Sequence, residues 1–247
     1  MNEAMPIFLP GVPEDRIRAI FGRAAGNEIE SGKFGSRQSS AALAANGFGW
    51  FLDRPAELPM FPPLADLPGP VSSVEVEREI RFPWSGGRHP WLDAVVETAS
   101  HVIGIESKRY EPFRDRKHAE FADAYERDVW GERMDRWCAM RDQLRAEPRL
   151  YRHLDAAQLV KHAFALGTEA ARSGANPVLL YLYAEPAGDK APTDAECLAH
   201  RREIDHFAAQ VTGDRVRFAA CSWRGWLATF HGDAAGHAER LIEAFNP

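Results

Sequence analysis

Between residues 72 and 110 the chain spells out three consecutive strands, and that run limits the fold more than any other stretch. From Ser72 to Phe82, Val74, Val76, Arg78, Ile80 and Phe82 fall on one face and Glu75, Glu77, Glu79 and Arg81 on the other. A strand with one side toward solvent is expected. Arg78, the exception on the apolar face, belongs at a sheet edge or beside an acid. A Gly86-Gly87 turn leads to a second strand that opens with Asp93, and a tight connection leads to a third that ends Val102-Ile103-Gly104-Ile105-Glu106-Ser107-Lys108. Strand side chains alternate, so Glu106 and Lys108 project together and Ser107 points the other way. An aspartate, a glutamate and a lysine at the end of a hairpin are equipment for holding a divalent cation beside a water, as phosphodiester hydrolysis requires.

The rest of the chain supplies helices and two further strands. Helices are expected at Pro13 to Ala24, where Glu14 and Asp15 favour the first turn, and at Ser39 to Phe51. Six prolines in residues 54–70 read as an irregular connector. Helical spacing runs from about Lys117 to Arg145 and again from Leu154 to Ser173, ended by Gly174. Val178 to Ala184 reads as a buried strand. Thr193-Asp194-Ala195-Glu196 starts a helix to about Val211, Val216 to Trp223 alternates as a strand, and a last helix covers Ala234 to Phe245. The order predicts an α/β (α+β mixed) fold in which a mixed sheet is flanked by helices. One domain over 1–247 is expected. Within it, 1–70 is helical and Pro-rich, 72–110 the β-meander, 111–150 a helical insertion, and 154–247 the helix-strand completion of the core.

Composition removes several classes. A net charge of -6 argues against a general polycation, although a local basic groove or a metal-supplied charge remains compatible with it. Cys138, Cys197 and Cys221 lie far apart, which disfavours a disulfide framework or a cysteine zinc site and suits a reducing cytoplasm. Met1 to Pro13 lacks the basic-then-apolar order of a signal segment, and the longest apolar run is too short to cross a bilayer. A soluble, cytoplasmic protein is expected. No G-x-S-x-G, H-E-x-x-H, G-x-x-x-x-G-K-[ST] or strand-linked G-x-G-x-x-G occurs.

Oxygen ligands on a rigid hairpin suit Mg2+ or Mn2+. Asp93 and Glu106 would hold the ion, the Ser107 backbone carbonyl would complete its coordination, and Lys108 would orient water or neutralise charge on phosphorus. Lysine is scarce, five against twenty-five arginines, which makes its use on an inner strand informative. The alternative is a surface Glu–Lys pair on an edge strand, such as the Asp115-Arg116-Lys117 triplet suggests for itself. Asp155, Gln158, Lys161 and His162 share one helical face. Arg109, Tyr110, Phe113, Arg114 and His118 belong to a cluster that reads either as a phosphate- and base-binding patch or as solvated surface, since acids are mixed in. Trp130, Trp137, Trp223 and Trp226 read as packing residues.

The arrangement resembles the PD-(D/E)xK nuclease superfamily, the restriction-endonuclease-like fold with an α-β-β-β-α-β core. Asp93 matches the first metal-binding acid, with Leu92 where proline is usual, Glu106 the second acid and Lys108 the catalytic lysine. The resemblance implies a further acid from the first helix. Glu30 is preferred because it precedes Ser31-Gly32-Lys33, a stretch able to approach a phosphate; Glu28 and Gln38 are alternatives. It also implies a glutamine facing the metal site, matched by Gln158, with His162 where an aromatic is common. Gln158, Lys161, Arg109, Tyr110 and Lys33 are the expected substrate contacts. The implied activity is Mg2+- or Mn2+-dependent cleavage of nucleic acid, DNA first, of restriction or repair type. Restriction-type enzymes often work as homodimers, though nothing here marks a dimer face. A non-catalytic nucleic-acid or protein-binding module on the same fold, and a hydrolase of a small phosphodiester, are the alternatives.

Overall fold

The three expected strands form in sequence as β1 (Val71–Glu79), β2 (Trp91–Thr98) and β3 (His101–Lys108), each antiparallel to the next. β4 (Asn176–Tyr183) and β5 (Arg217–Ser222) then add in parallel, so the spatial order of the five strands is their order in the chain. The computed structural model describes residues 8–24, 28–29, 31–36, 38–114, 118–188 and 190–247. The expected mixed sheet flanked by helices is therefore present, and it is the architecture of a restriction-endonuclease-like fold.

Parallel neighbours need a crossover, and helices provide it on the sheet faces. α4 (Ala156–Ser173) links β3 to β4 and packs with α3 (Asp135–Ala146) and α5 (Asp194–Val211) on one face, around Leu166, Phe164, Trp137 and Phe207. The other face is covered by α1 (Glu14–Phe21), α2 (Ser40–Gly49), α6 (Trp223–Leu227) and α7 (Asp233–Phe245), around Phe48, Trp223, Trp226 and Leu241. Gly47 lets the second layer close: a Cβ there would lie 2.6 Å from the Trp223 ring. Gly104 does the same on the first face, where a Cβ would meet Leu92 at 2.5 Å and Leu166 at 2.8 Å. The four tryptophans read as packing residues are all buried.

Two elements depart from expectation. The helix expected from Lys117 to Arg145 is present only as α3; before it lies a 3-10 turn at Asp123–Glu126. Gly131 and Arg133 adopt left-handed backbone (φ +83° and +60°), which a continuous helix cannot contain. The C-terminal strand ends one residue early, because Ser222 accepts a hydrogen bond from the Gly225 amide at 3.0 Å and so caps α6.

β1 carries the departure that matters for chemistry. Val74 and Val76 pack into the α2 layer, but Ile80 and Phe82 pack into the α4 layer. The alternation does not run through. Between them Glu77 sits at φ +48°, a conformation unusual for a residue with a side chain. β2 changes over at the same level: Ala94 and Val96 join the α2 layer and Leu92 the α4 layer. Val76 pairs with Ala94 and Arg78 with Leu92, so the switch is made by both strands at the Glu77–Asp93 position. It also delivers Arg78 to Glu75, Glu97 and Glu169, at 2.9, 2.7 and 2.9 Å, in the ion pairing expected of an arginine on an edge strand.

Candidate active site

The register places acids on three adjacent strands at one level. Glu77 of β1 falls opposite Asp93 of β2, between two paired positions. Asp93 falls opposite Glu106 of β3, one residue beyond the last paired position, Ala94 with Ile105. Like charges placed opposite one another on a sheet are destabilising, so this row is not a packing solution. Strained backbone at Glu77 adds a cost of order 1–3 kcal/mol that clusters at functional sites.

Each acid is held differently. The Asp93 Oδ2 accepts a 2.6 Å hydrogen bond from the Ser107 amide. Glu106 is 2% exposed, with Oε1 ion-paired to Lys108 Nζ and Oε2 3.2 Å from Nδ1 of His162 on α4. Ser107 points to the opposite face, as the alternation requires, where its hydroxyl accepts from Trp223 Nε1 at 3.1 Å. Trp223 thereby anchors the tip of β3 from behind while α4 holds it from the front.

Protonation follows from this packing. Burial raises the Asp93 carboxyl well above its usual range, the Glu106 charge adds to the rise, and Lys108 offsets only part of it. Burial and then the charges of Glu106 and Glu28 push Glu77 up to about 7. Burial would raise Glu106 too, but Lys108 and His162 bring it down to about 2. Burial would lower Lys108, yet Glu106 and Asp93 hold its ammonium above its ordinary value. At neutral pH the row thus contains one firmly ionised carboxylate, Glu106, one lysine ammonium, Glu77 near the midpoint of its titration, and Asp93, whose burial favours the protonated form.

The row forms the floor of a cavity of about 750 Å3. Among the expected site residues, Asp93, Glu106, Lys108, Gln158 and Lys33 line it, as do Glu28 and Gln38. Glu30 lies outside the described residues, as does the comparison triplet at 115–117. Arg109 is not brought into the cavity: it is 3% exposed, its guanidinium donates to the Phe245 carbonyl, and its amide donates to Glu111 at 2.8 Å. Alternation sends it toward α7, opposite to Lys108. Tyr110 stands between the Arg109 and Arg114 guanidinium groups, at 5.1 and 5.7 Å, and does not line the cavity. Lys161 lines an adjoining cavity instead.

Sequence reasoning missed Glu77, Trp91 and Glu111 and undervalued His162. Glu77 was assigned to the solvent face by a period that its own backbone breaks. Glu111 looked like a neutralising acid in a charged run; it accepts from Ser40 Oγ at 2.5 Å and ties the start of α2 to the end of β3. Burial would raise its carboxyl, and the Ser40 hydroxyl and Lys108 lower it below the usual range.

The donor chemistry suits a hard cation. Among the described residues of the lining, the five acids Glu28, Glu77, Asp93, Glu106 and Glu111 face the three cations Lys33, Lys108 and Arg114, so with all five ionised an approaching phosphodiester would meet an excess of negative charge. Among the described residues no three His, Cys, Asp or Glu side chains are gathered into a preformed cage. Lys108 and His162 each occupy one oxygen of Glu106. Mg2+ does not need such a cage, since it is commonly bound through one or two carboxylates and keeps several waters.

No curated protein and no solved structure matches the chain. The family described as Restriction Endonuclease associating with ARP matches residues 6–245, nearly the whole length. With its acid row and Glu-x-Lys strand set in a restriction-endonuclease-like sheet, the chain belongs to this REase-ARP family.

Proposed function

We propose that the protein hydrolyses phosphodiester bonds of nucleic acid, DNA first, as a Mg2+- or Mn2+-dependent endonuclease. The observation that carries this reading is the row Glu77–Asp93–Glu106 beside Lys108, a site with more carboxylates than a phosphate could approach unaided. Asp93 and Glu106 would hold the cation, with the Ser107 carbonyl at the same level and Glu77 as a third acid close by. Bound there, the ion supplies Lewis-acid polarisation of a phosphoryl oxygen and lowers the pKa of a coordinated water.

The remaining work falls to side chains of this chain. Lys108, kept charged by Glu106, would orient the attacking water and offset charge that develops on the phosphoryl oxygens. His162, with Nδ1 3.2 Å from the second oxygen of Glu106, would limit that carboxylate's movement. Lys33 sits on the cavity wall as a phosphate contact and Gln158 as a substrate contact. Cleavage of plasmid, linear and single-stranded DNA with Mg2+ or Mn2+ tests the reading, using wild type and Lys108→Ala; equal cleavage by both would overturn the role of the lysine. Calorimetric titration with Mn2+ checks the ion separately, because weakened binding and less proton release are expected for Asp93→Asn.

A further inference from the structure

A second cavity, also about 750 Å3, adjoins the first and shares Trp91 and Gln158 with it. His162, which touches Glu106, lines this second cavity, so the two spaces meet across one turn of α4. Phe121 and Tyr125 supply ring faces to its wall, set edge to face with centroids 5.7 Å apart. Behind them Tyr125 stacks at 6.4 Å on Phe164, which stacks in turn on the buried Trp130 at 4.1 Å. The rings therefore rest on the core and do not swing freely.

The polar groups are as specific as the rings. The Lys161 ammonium stands 5.3 Å from the Phe121 ring centre and 5.8 Å from that of Tyr125. Among the described residues it forms no ion pair with a carboxylate. Arg88 adds a second cation, and Glu120 is the single acid among the described residues of the lining. The side-chain amide of Gln158, on the shared wall, makes no hydrogen bond among the described residues. A flat π-system can stack against one of these rings, an amide can read its polar edge, and the two cations suit the phosphate attached to it.

We infer that this second cavity holds an unstacked nucleobase of the substrate, from the nucleotide beside the bond that is cut. The inference rests on the nuclease reading and adds a substrate class: strands whose base is already unpaired, or is extruded from a duplex at the cleavage position. Extrusion costs a few kcal/mol and least at an unpaired base, so such substrates are selected.

The test measures binding by fluorescence anisotropy on the full chain in Mg2+, with phosphorothioate-linked probes that slow hydrolysis. Three short labelled DNAs are compared: a single strand, a paired duplex and the same duplex with one bulged base. The single strand and the bulged duplex are expected to bind more tightly than the paired duplex. Phe121→Ala is expected to weaken those two by about tenfold and Phe121→Trp to restore them, consistent with loss and recovery of one stacked base. Preference for the single strand alone assigns the pocket to open strands, and preference for both assigns it to extruded bases as well. Lys161→Met, as a second variant, is expected to reduce the salt dependence by about one counterion. If wild type cleaves DNA while Phe121→Ala and Lys161→Met bind both unpaired probes within about twofold of it, the subsite is overturned and the nuclease reading stands. If wild type binds no probe and cleaves no DNA, both fall.

Discussion

Residues 106–109 at the end of β3 belong by turns to two different environments. Glu106 and Lys108 face α4 and a water-accessible cavity, where they pair with each other and Glu106 also stands 3.2 Å from His162. Ser107 and Arg109 face α6 and α7, where Trp223 donates to one and the Phe245 carbonyl accepts from the other. Four consecutive residues thus split into chemistry and scaffold by alternation alone. The lesson is that a site of buried like charges is kept in place from behind: the face that reacts is costly, and the face that does not react is tied by aromatic packing and hydrogen bonds.

Substitutions on the two faces should separate these roles. The largest expected effect is on the scaffold side. Trp223→Ala removes a fully buried indole and is expected to cost about 3–5 kcal/mol, read as a lower midpoint in urea unfolding. A loss under about 1 kcal/mol would show that β3 does not depend on that anchor. Next, Lys108→Ala on the reactive side is expected to lower the DNA cleavage rate by about 10²–10³-fold, the scale of removing one group that stabilises developing charge. Cleavage kinetics on a folded variant, verified by circular dichroism, checks it.

Glu77→Gln sharpens the comparison further because it should move stability and metal affinity in opposite directions. The folded carboxyl titrates near 7 against an ordinary value of 4.5, so between those pH values the folded chain binds a proton that the unfolded chain has released. Stability from this group is therefore lost as pH rises from about 4.5 to 7 and stays lost above. In metal-free buffer the glutamine variant is expected to be more stable than wild type by about 2 kcal/mol at pH 8, with the difference vanishing near pH 4. The same variant is expected to bind Mn2+ more weakly in calorimetry. Equal unfolding midpoints at both pH values would sink this account of the row. The smallest effect is expected for Ser107→Ala, about 1 kcal/mol of unfolding free energy, as the Trp223 Nε1 loses its acceptor.

Much of this arrangement was legible in the sequence. Ser39 caps α2 by accepting from the Ala42 amide, Thr193 and Glu196 form a reciprocal cap on α5, and Gly174 ends α4 in left-handed backbone. These signals are local, so no partner is needed to read them. Asp93, Glu106 and Lys108 follow from strand spacing and Gln158 from the family resemblance, and the four line one cavity. As a substrate contact Arg109 fails on the same alternation that turns Ser107 away from the cavity, because nearness in sequence to Lys108 is not nearness in space. The loss of helix before α3 was hidden, since Phe121 and Tyr125 keep helical i, i+4 spacing yet take their places by ring contacts, Phe121 on Tyr125, and Tyr125 and Trp130 on Phe164.

By itself the sequence determined that Glu106 and Lys108 stand together and that Ser107 turns away, because a pleated strand has a period of two whatever sheet it joins. It also determined the order of strands and helices through caps, turns and apolar runs. Only the tertiary structure decided that Glu77 turns inward. That depends on a left-handed backbone at Glu77, opposite the point where β2 also changes layers, and no periodic pattern in one strand encodes it. It alone decided the protonation of the row as well, for a carboxyl shifts according to what buries it and which charges stand near, and those neighbours come from β1, β2, β3 and α4 at once.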